Sequence, residues 1–157
     1  MKKQYVITDP CYILSESDWS ECCKEFDHKE DKYDRFNQAV TKKLNDLART
    51  ADAIAIGTGF GDWCNEVFGS PIEGIQYNRF CADAGMVCVV EYTKPIQDAL
   101  EQRYLEDGCA ALVEVDEPVK IMALESNEWS RIIIKGNHCH YYTSDANMED
   151  DGGGEDD

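Results

Sequence analysis

Residues 75–92, IQYNRFCADAGMVCVVEY, consist of two apolar segments on either side of Asp83-Ala84-Gly85. Residues 75–81 and 86–92 have the β-branched and aromatic content of strands, and the Asp-Ala-Gly sequence between them is a turn signal. The stretch therefore predicts two consecutive strands joined by a short connection, an arrangement that favours antiparallel pairing.

Segments of the same kind occur along the rest of the chain. Further strands are predicted over residues 5–8, 11–14, 53–56, 110–115, 119–124 and 131–142, and Ser126-Asn127-Glu128 predicts a hairpin turn between the last two. Helical periodicity predicts helices over residues 15–26, 31–49 and 95–108. Strands outnumber helices, so the sequence predicts an α+β fold class, a mostly antiparallel sheet with about three helices in a single domain.

The helix boundaries and faces follow from particular residues. Ser15 or Ser17 is suited to cap the first helix, and Pro95 fits the first turn of the third. The predicted apolar face of the first helix consists of Trp19, Cys22, Cys23 and Phe26, and that of the second of Tyr33, Phe36, Val40, Leu44 and Leu47. Gly57 to Gly74 is glycine-rich and is predicted to be irregular.

The length of 157 residues suits one domain that buries a real core. Residues 1–144 are predicted to form a compact α+β domain, and residues 145–157 a disordered acidic tail. The chain has no run of 18 apolar residues and no apolar stretch after its two N-terminal lysines, so we expect a cytoplasmic protein that does not enter a membrane.

The eight cysteines have no C-x-x-C spacing, which is the usual mark of zinc and thioredoxin-like sites. Several lie within apolar segments, as Cys88 does in Met86-Val87-Cys88-Val89-Val90. In a reducing compartment this pattern is typical of buried free thiols that act as small apolar side chains.

The charge composition is strongly acidic, with 32 Asp and Glu against 15 Lys and Arg and a net charge of −17. Such a field repels nucleic acid phosphates and attracts basic surfaces. We therefore expect no direct nucleic acid binding, and a partner protein with a basic surface. Solubility alone is the simpler explanation of the same composition.

Two local motifs allow a more specific chemistry. Gly57-Thr-Gly-Phe-Gly-Asp62 follows a predicted strand as phosphate-binding loops do, but its G-x-G-x-G spacing matches no dinucleotide or P-loop motif, and it is typical of a turn. His138 and His140 would share one face if residues 131–142 form a single strand, so they are candidate metal ligands, although a solvated strand face explains them equally. No residue pattern identifies a cofactor.

Three carboxylates lie at the ends of predicted strands. Asp9, Asp62 and Asp83 stand beside Pro10, Gly61 and Gly85 respectively. Each could bond its own turn as an Asx-turn, or the three could converge to bind a cation or polar ligand or to supply a general base. The candidate ligand-binding residues are Asp9, Cys11, Tyr12, Gly59, Gly61, Asp62, Asp83 and Gly85.

The three short segments that contain these carboxylates resemble motifs in a group of uncharacterised small proteins associated with phages and prophages. The group has a DP-[CG]-Y start, a central G-D-G-x-Y and a D-[AS]-G segment before an apolar strand, and the corresponding residues are Asp9–Tyr12, Gly59–Asp62 and Asp83–Gly85. Trp63 follows Asp62 where the group has glycine. The resemblance implies a phage or mobile-element setting and assigns no activity.

Charge and resemblance together predict a small, non-enzymatic binding protein. Its expected role is to inhibit a host nucleic-acid-handling or defence system through charge complementarity. The alternative is a ligand- or metal-binding domain built on Asp9, Asp62 and Asp83, either a hydrolase or a nucleotide sponge that uses Arg79 and Lys94. A purely structural interaction module is a third interpretation.

Overall fold

The computed structural model describes residues 2–25, 34–57, 63–69, 79–83, 85–125 and 130–143. The strands within these ranges are β1 Lys2–Thr8, β2 Ile54–Gly57, β3 Trp63–Phe68, β4 Arg79–Ala82, β5 Met86–Glu91, β6 Ala111–Asp116, β7 Lys120–Glu125, β8 Ser130–Lys135 and β9 His140–Thr143. The helices are α1 Glu16–Cys23, α2 Asp34–Ala48, α3 Lys94–Ala99 and α4 Gln102–Glu106, with a 3₁₀ helix over Pro10–Tyr12. The α+β class is therefore confirmed.

The strands form two sheets rather than one. The first has the order β2-β5-β1-β6 and the second the order β4-β3-β9-β8-β7. Every strand pair in the described residues is antiparallel, as predicted. No described helix is long and apolar enough to cross a membrane.

The first sheet is the middle of three layers and is buried on both faces. Val87 and Val89 of β5 pack against the second sheet, in a core that includes Phe80 and Ile132. Cys88, its neighbour in the same strand, belongs to the other core, beneath the helices. This double burial explains why β5 is apolar at consecutive positions instead of alternating, since each fully buried aliphatic side chain contributes roughly 1.5–3 kcal/mol.

The helical layer follows the predicted periodicity with two corrections. The Ser15 side chain caps α1 by accepting a hydrogen bond from the Asp18 N–H, and Phe36, Val40 and Leu44 of α2 are buried as expected. The placement of both Cys22 and Cys23 in the core was wrong: Cys22 is buried and Cys23 is exposed, because adjacent helical residues point about 100° apart.

The predicted third helix is interrupted. Leu100 takes an extended conformation with ψ 120° and is buried, so α3 ends there and α4 begins two residues later. Burial of the Leu100 side chain in the core outweighs the helical continuity that the sequence suggests.

Three predictions about strand positions and one about a strand connection were also wrong. Residues 11–14 begin within the 3₁₀ helix, because Pro10 fixes a helical φ and Asp9 caps the turn. Part of the segment predicted to be irregular forms β3. The predicted strand 131–142 is two strands, β8 and β9, which pair with each other as a hairpin.

The fourth correction concerns residues 75–92. Their strands are β4 and β5, but β4 belongs to the second sheet and β5 to the first, so Asp83–Gly85 connects two sheets rather than a hairpin. A turn signal specifies a change of chain direction and not the partner of the following strand. Residues 75–78, Phe26, Tyr33 and the predicted turn at 126–128 lie outside the described residues.

The prediction of free thiols throughout was wrong for one pair. Cys64 and Cys81 face each other in the register of β3 and β4 and form a disulfide. The other six cysteines are thiols outside any disulfide, and two of them, Cys22 and Cys88, are buried. The pairing depends on strand register, which the 17-residue separation of Cys64 and Cys81 does not reveal.

Candidate functional site

The Asp9 carboxylate lies where β1 ends and is completely buried. Its Oδ1 accepts a hydrogen bond from the Cys11 N–H at 2.8 Å, and its Oδ2 accepts one from the Asp83 N–H at 2.7 Å. The first is the Asx-type bond expected after a strand end, and the second reaches 74 residues along the chain. Asp9 therefore ties β1 to the β4–β5 connection.

This region is called the β1-end junction and comprises Thr8, Asp9, Cys11, Tyr12, Asp83, Gly85 and Cys109. Gly85 has φ 80°, a left-handed conformation that glycine adopts without a steric penalty. It is also buried, as Asp9 is. The glycine and the Asp9 bond together fix how the chain passes from the second sheet to the first.

The α4–β6 connection also joins the junction. The Thr8 hydroxyl and the Cys81 N–H both donate to the Cys109 carbonyl, each at 2.9 Å. Gly108, with φ 78°, precedes it just after the end of α4, a left-handed position where glycine commonly ends a helix. Gly108 is the one feature of the sequence that marks this connection, and it does not identify Cys109 as a member of the site.

Tyr12 forms the aromatic part of the junction. Its ring stacks on that of Tyr104, with 4.2 Å between centroids and 14° between planes. Burial, followed by the charges of Asp83 and neighbouring groups, raises the pKa of Tyr12 above its usual value. The phenol therefore stays protonated at neutral pH and can donate a hydrogen bond, but it does not serve as a base.

The structure brings some of the candidate residues together. Asp9, Cys11, Tyr12, Asp83 and Gly85 lie together, whereas Gly59, Gly61 and Asp62 lie outside the described residues. Asp9 directs both oxygens at backbone amides, which is the arrangement of a structural acceptor. Cavities of about 460 and 350 Å³ lie along α2, and no junction residue lines them.

The histidine pair is arranged differently from the metal-site hypothesis. His138 lies in the β8–β9 connection and only His140 belongs to a strand, so alternation along one strand does not align them. The Asp116 carboxylate accepts the His138 N–H at 2.9 and 3.0 Å, and its Oδ2 is 2.8 Å from the His138 Nδ1. Among the described residues, no group of three or more His, Cys, Asp or Glu is arranged to hold a metal ion.

Asp116 stabilises the β8–β9 connection. Its contact with Cys139 does not produce a reactive thiol. The Cys139 Sγ lies 3.2 Å from Asp116 Oδ1, and burial raises the pKa of the Cys139 thiol. A Cβ on Gly136 would come within 2.5 Å of the same Oδ1, so only glycine fits at that position. The backbone N–H of His138 lowers the pKa of Asp116, and the carboxylate stays ionised as a turn clamp.

Several charges of the described surface are paired. Lys43 lies 2.8 Å from Glu21 and 3.4 Å from Asp18, and Lys3 lies 3.7 Å from Glu91. Further ion pairs join Lys2 to Glu114, Lys42 to Asp46, Lys94 to Asp98 and Arg103 to Glu101. Such exposed pairs add little stability, but they neutralise the local field.

Comparison with known proteins gave no match to a family model, a curated protein or a solved structure. The resemblance to phage-associated proteins therefore stays a prediction. A fold of this kind can serve many functions, so function has to be argued from the residues and surfaces of this molecule.

Proposed function

We propose that this is a non-enzymatic binding protein whose acidic C-terminal segment occupies a basic surface of another macromolecule. The partner class is a host nucleic-acid-handling or defence protein, whose basic channel the segment enters in competition with DNA or RNA. The distribution of charge carries the proposal. Residues 145–157 contain seven acidic residues and no Lys or Arg, while many carboxylates of the described surface are ion-paired.

A dense run of carboxylates suits this role for a physical reason. A basic channel concentrates field lines between low-dielectric walls, so it attracts polyanions over several ångströms and accelerates their association. The same charge repels nucleic acid, so we propose no direct contact between this protein and DNA or RNA. Binding of this kind weakens steeply with salt.

The junction chemistry supports a non-enzymatic role. Asp9 is buried and accepts two backbone N–H groups, and Tyr12 is protonated at neutral pH. Burial likewise raises the pKa of the Cys22, Cys88 and Cys139 thiols, which keeps them out of the nucleophilic thiolate form. These groups are engaged in holding the fold together.

The proposal is tested by capture from a bacterial lysate with the full chain at about 50 mM and about 500 mM salt. We expect a nucleic-acid-binding protein that is retained at low salt and released both at high salt and by added DNA or RNA. The purified partner should then lose its nucleic acid binding when this protein is added. Capture that withstands both salt and nucleic acid, or no captured partner, contradicts the proposal.

Two variants of the full chain make this test specific. In the first, the seven acidic residues of 145–157 become Asn or Gln, and capture should be lost. In the matched control, the same thirteen residues are shuffled, and capture should be retained, because an electrostatic mechanism depends on charge density more than on order. Loss in the shuffled variant would point instead to a sequence-specific motif.

A ligand-binding domain is the second candidate, favoured by the convergence of Asp9, Cys11, Tyr12 and Asp83. In this case Asp83, whose side chain is exposed, would contact the ligand, while Asp9 would hold the loop. Native mass spectrometry of the full chain with Mg²⁺, Ca²⁺ or a nucleotide tests it. Binding that Asp83→Ala abolishes without loss of stability would favour this candidate over the first.

A further inference from the structure

The solvent-facing side of the second sheet, here called the outer face, has an unusual composition. The inward residues of its strands, such as Ile132, Ile134 and Tyr141, are buried against the first sheet, so the alternate residues face outward. Over β7, β8, β9 and the end of β3, strand register arranges these outward residues in three rows: Met122, Ile133, Tyr142 and Phe68; Lys120, Lys135 and His140; and Leu124 with Arg131.

The first row is apolar and aromatic. Phe68 of this row and Leu124 of the adjacent third row are the large apolar side chains that the described residues expose, at 42% and 40%. The Phe68 and Tyr142 rings stack at 5.2 Å, and the Arg131 guanidinium lies 4.9 Å from the Tyr142 ring centroid. An exposed apolar row flanked by polar residues is typical of an interaction surface.

The second row is basic in a protein of net charge −17. Lys120 stands directly opposite Lys135, and Lys135 opposite His140. Like charges in such pairs destabilise a sheet. Within the described part of the chain, neither lysine has a carboxylate within ion-pair distance, whereas Lys42, Lys43 and Lys94 of the helical layer do. The row therefore suits an anionic ligand.

We propose that the occupant of the outer face is the acidic segment of the same chain, residues 145–157. Its seven acidic residues complement the basic row in charge. It also follows β9 after one residue, Ser144, and β9 itself supplies His140 and Tyr142 to the face. The two are therefore continuous in the chain as well as complementary in charge.

The dimensions permit this docking. Thirteen extended residues span about 45 Å. The basic row reaches from β9 across β8 to β7, two strand spacings or about 10 Å, and β9 is about 10 Å long. Attachment to β9 also gives the segment an effective concentration in the millimolar range, so contacts too weak for separate molecules become populated.

Docking would regulate the proposed function. A segment that lies on the outer face is withheld from a partner, so a basic partner surface must compete with Lys120 and Lys135 for the same carboxylates. Only this regulatory consequence rests on the proposed function. The docking itself is a property of the isolated chain and is tested without a partner.

Carbodiimide cross-linking of the full chain, followed by peptide mapping, provides the test. The reagent joins a carboxylate to a lysine amine that touches it and takes up the water that amide formation releases. We expect cross-links from Lys120 or Lys135 to acidic residues of 145–157 at low salt, and roughly tenfold fewer at about 500 mM salt. Lys42 and Lys94 are exposed control lysines outside the face and should not link to the segment.

Mixing ¹⁵N-labelled with unlabelled chains identifies the copy that supplies the segment. Links within one isotopic species support the proposal, and links that mainly join heavy to light chains replace it by docking between two copies. Equal linking of Lys42, Lys94, Lys120 and Lys135 would mean non-specific attraction and overturn it. So would the absence of links to 145–157.

A matched pair of full-chain variants separates docking from a change in folding. K120E with K135E should shift the outer-face amide signals and make the amides of 145–157 insensitive to salt, whereas K42E with K94E should leave them as in the natural chain. The variant whose seven acidic residues of 145–157 become Asn or Gln provides a further check. If a single-stranded oligonucleotide binds that variant through Phe68 and Tyr142, nucleic acid is the occupant instead. Lysate capture without these links would uphold the proposed function alone, and links without capture would uphold docking alone.

Discussion

The β1-end junction and the outer face of the second sheet use polar residues in opposite ways. At the junction, Asp9 is completely buried and its oxygens accept the N–H groups of Cys11 and Asp83. On the outer face, Lys120 and Lys135 are exposed, face each other, and lack a carboxylate partner among the described residues. The sequence makes the junction residues candidates for ligand binding, yet their polar groups stabilise the fold.

This contrast indicates where polar groups are available for binding in this molecule. A buried polar group has to be bonded internally, since leaving it unpaired costs free energy. An exposed polar group can form its hydrogen bonds or ion pairs with a partner molecule. The cost of facing a like charge is small in water. Recognition is therefore expected at the face, and stability at the junction.

The largest expected effect is that of Asp9→Ala. It removes the acceptor for two backbone N–H groups in a buried place, and we expect the free energy of unfolding to fall by about 3 kcal/mol. Urea unfolding monitored by tryptophan fluorescence measures this. Asp83→Ala is the matched control and should change stability by less than about 0.5 kcal/mol, since that side chain is exposed. If Asp9→Ala is as stable as the natural chain, the β1-end junction does not stabilise the fold in the way proposed here.

Alkaline pH gives the next effect, through Tyr12. Its pKa is raised in the folded state, so above about pH 10 the unfolded phenol loses its proton first. The stability contribution is complete below pH 10 and declines as pH rises, by less than about 1.4 kcal/mol per pH unit, because one phenol releases at most one proton. Urea unfolding between pH 9 and 11 should show a shallower decline for Tyr12→Phe, and an unchanged slope would contradict the account.

Asp116 contacts the β8–β9 connection and is sensitive to acid. The His138 N–H lowers its pKa, so its stabilising effect is complete above the unfolded value near 4 and is lost as pH falls toward the folded value. Asp116→Asn should be less stable at neutral pH and should lose less stability on acidification. An NMR titration of the Asp116 carboxyl carbon checks the direction of its pKa shift. An unshifted pKa would contradict the role of Asp116 in stabilising the β8–β9 connection.

The smallest effect on stability, with the opposite sign, is expected for Lys135→Glu. It replaces a like-charge pair with Lys120 by an opposite-charge pair, so stability should rise by a few tenths of a kcal/mol. Thermal unfolding at low salt measures this in a chain whose seven acidic residues of 145–157 are replaced by Asn or Gln, so that loss of docking does not contribute, and Lys120→Arg serves as the control that keeps the repulsion. A clear loss of stability would show that the Lys135 side chain supports the fold and would remove the contrast with the junction.

Local chemistry alone determined several features of this protein. Ser15 caps α1, Phe36, Val40 and Leu44 line α2, and Asp9 bonds its own turn, because a cap, a helical stripe and an Asx-turn each involve residues within about two turns of one another. The antiparallel α+β class followed from the same short-range patterns.

Tertiary structure alone decided the long-range relations. The assignment of β4 and β5 to different sheets, the Asp9 bond to Asp83, the Cys64–Cys81 disulfide and the facing lysines of the outer face all join residues distant in sequence or set by strand register. A shift of register by one residue would turn each strand's side chains to the opposite face. Periodicity shows that a strand has two faces, but only the packing of both sheets fixes which face is buried and which residues meet.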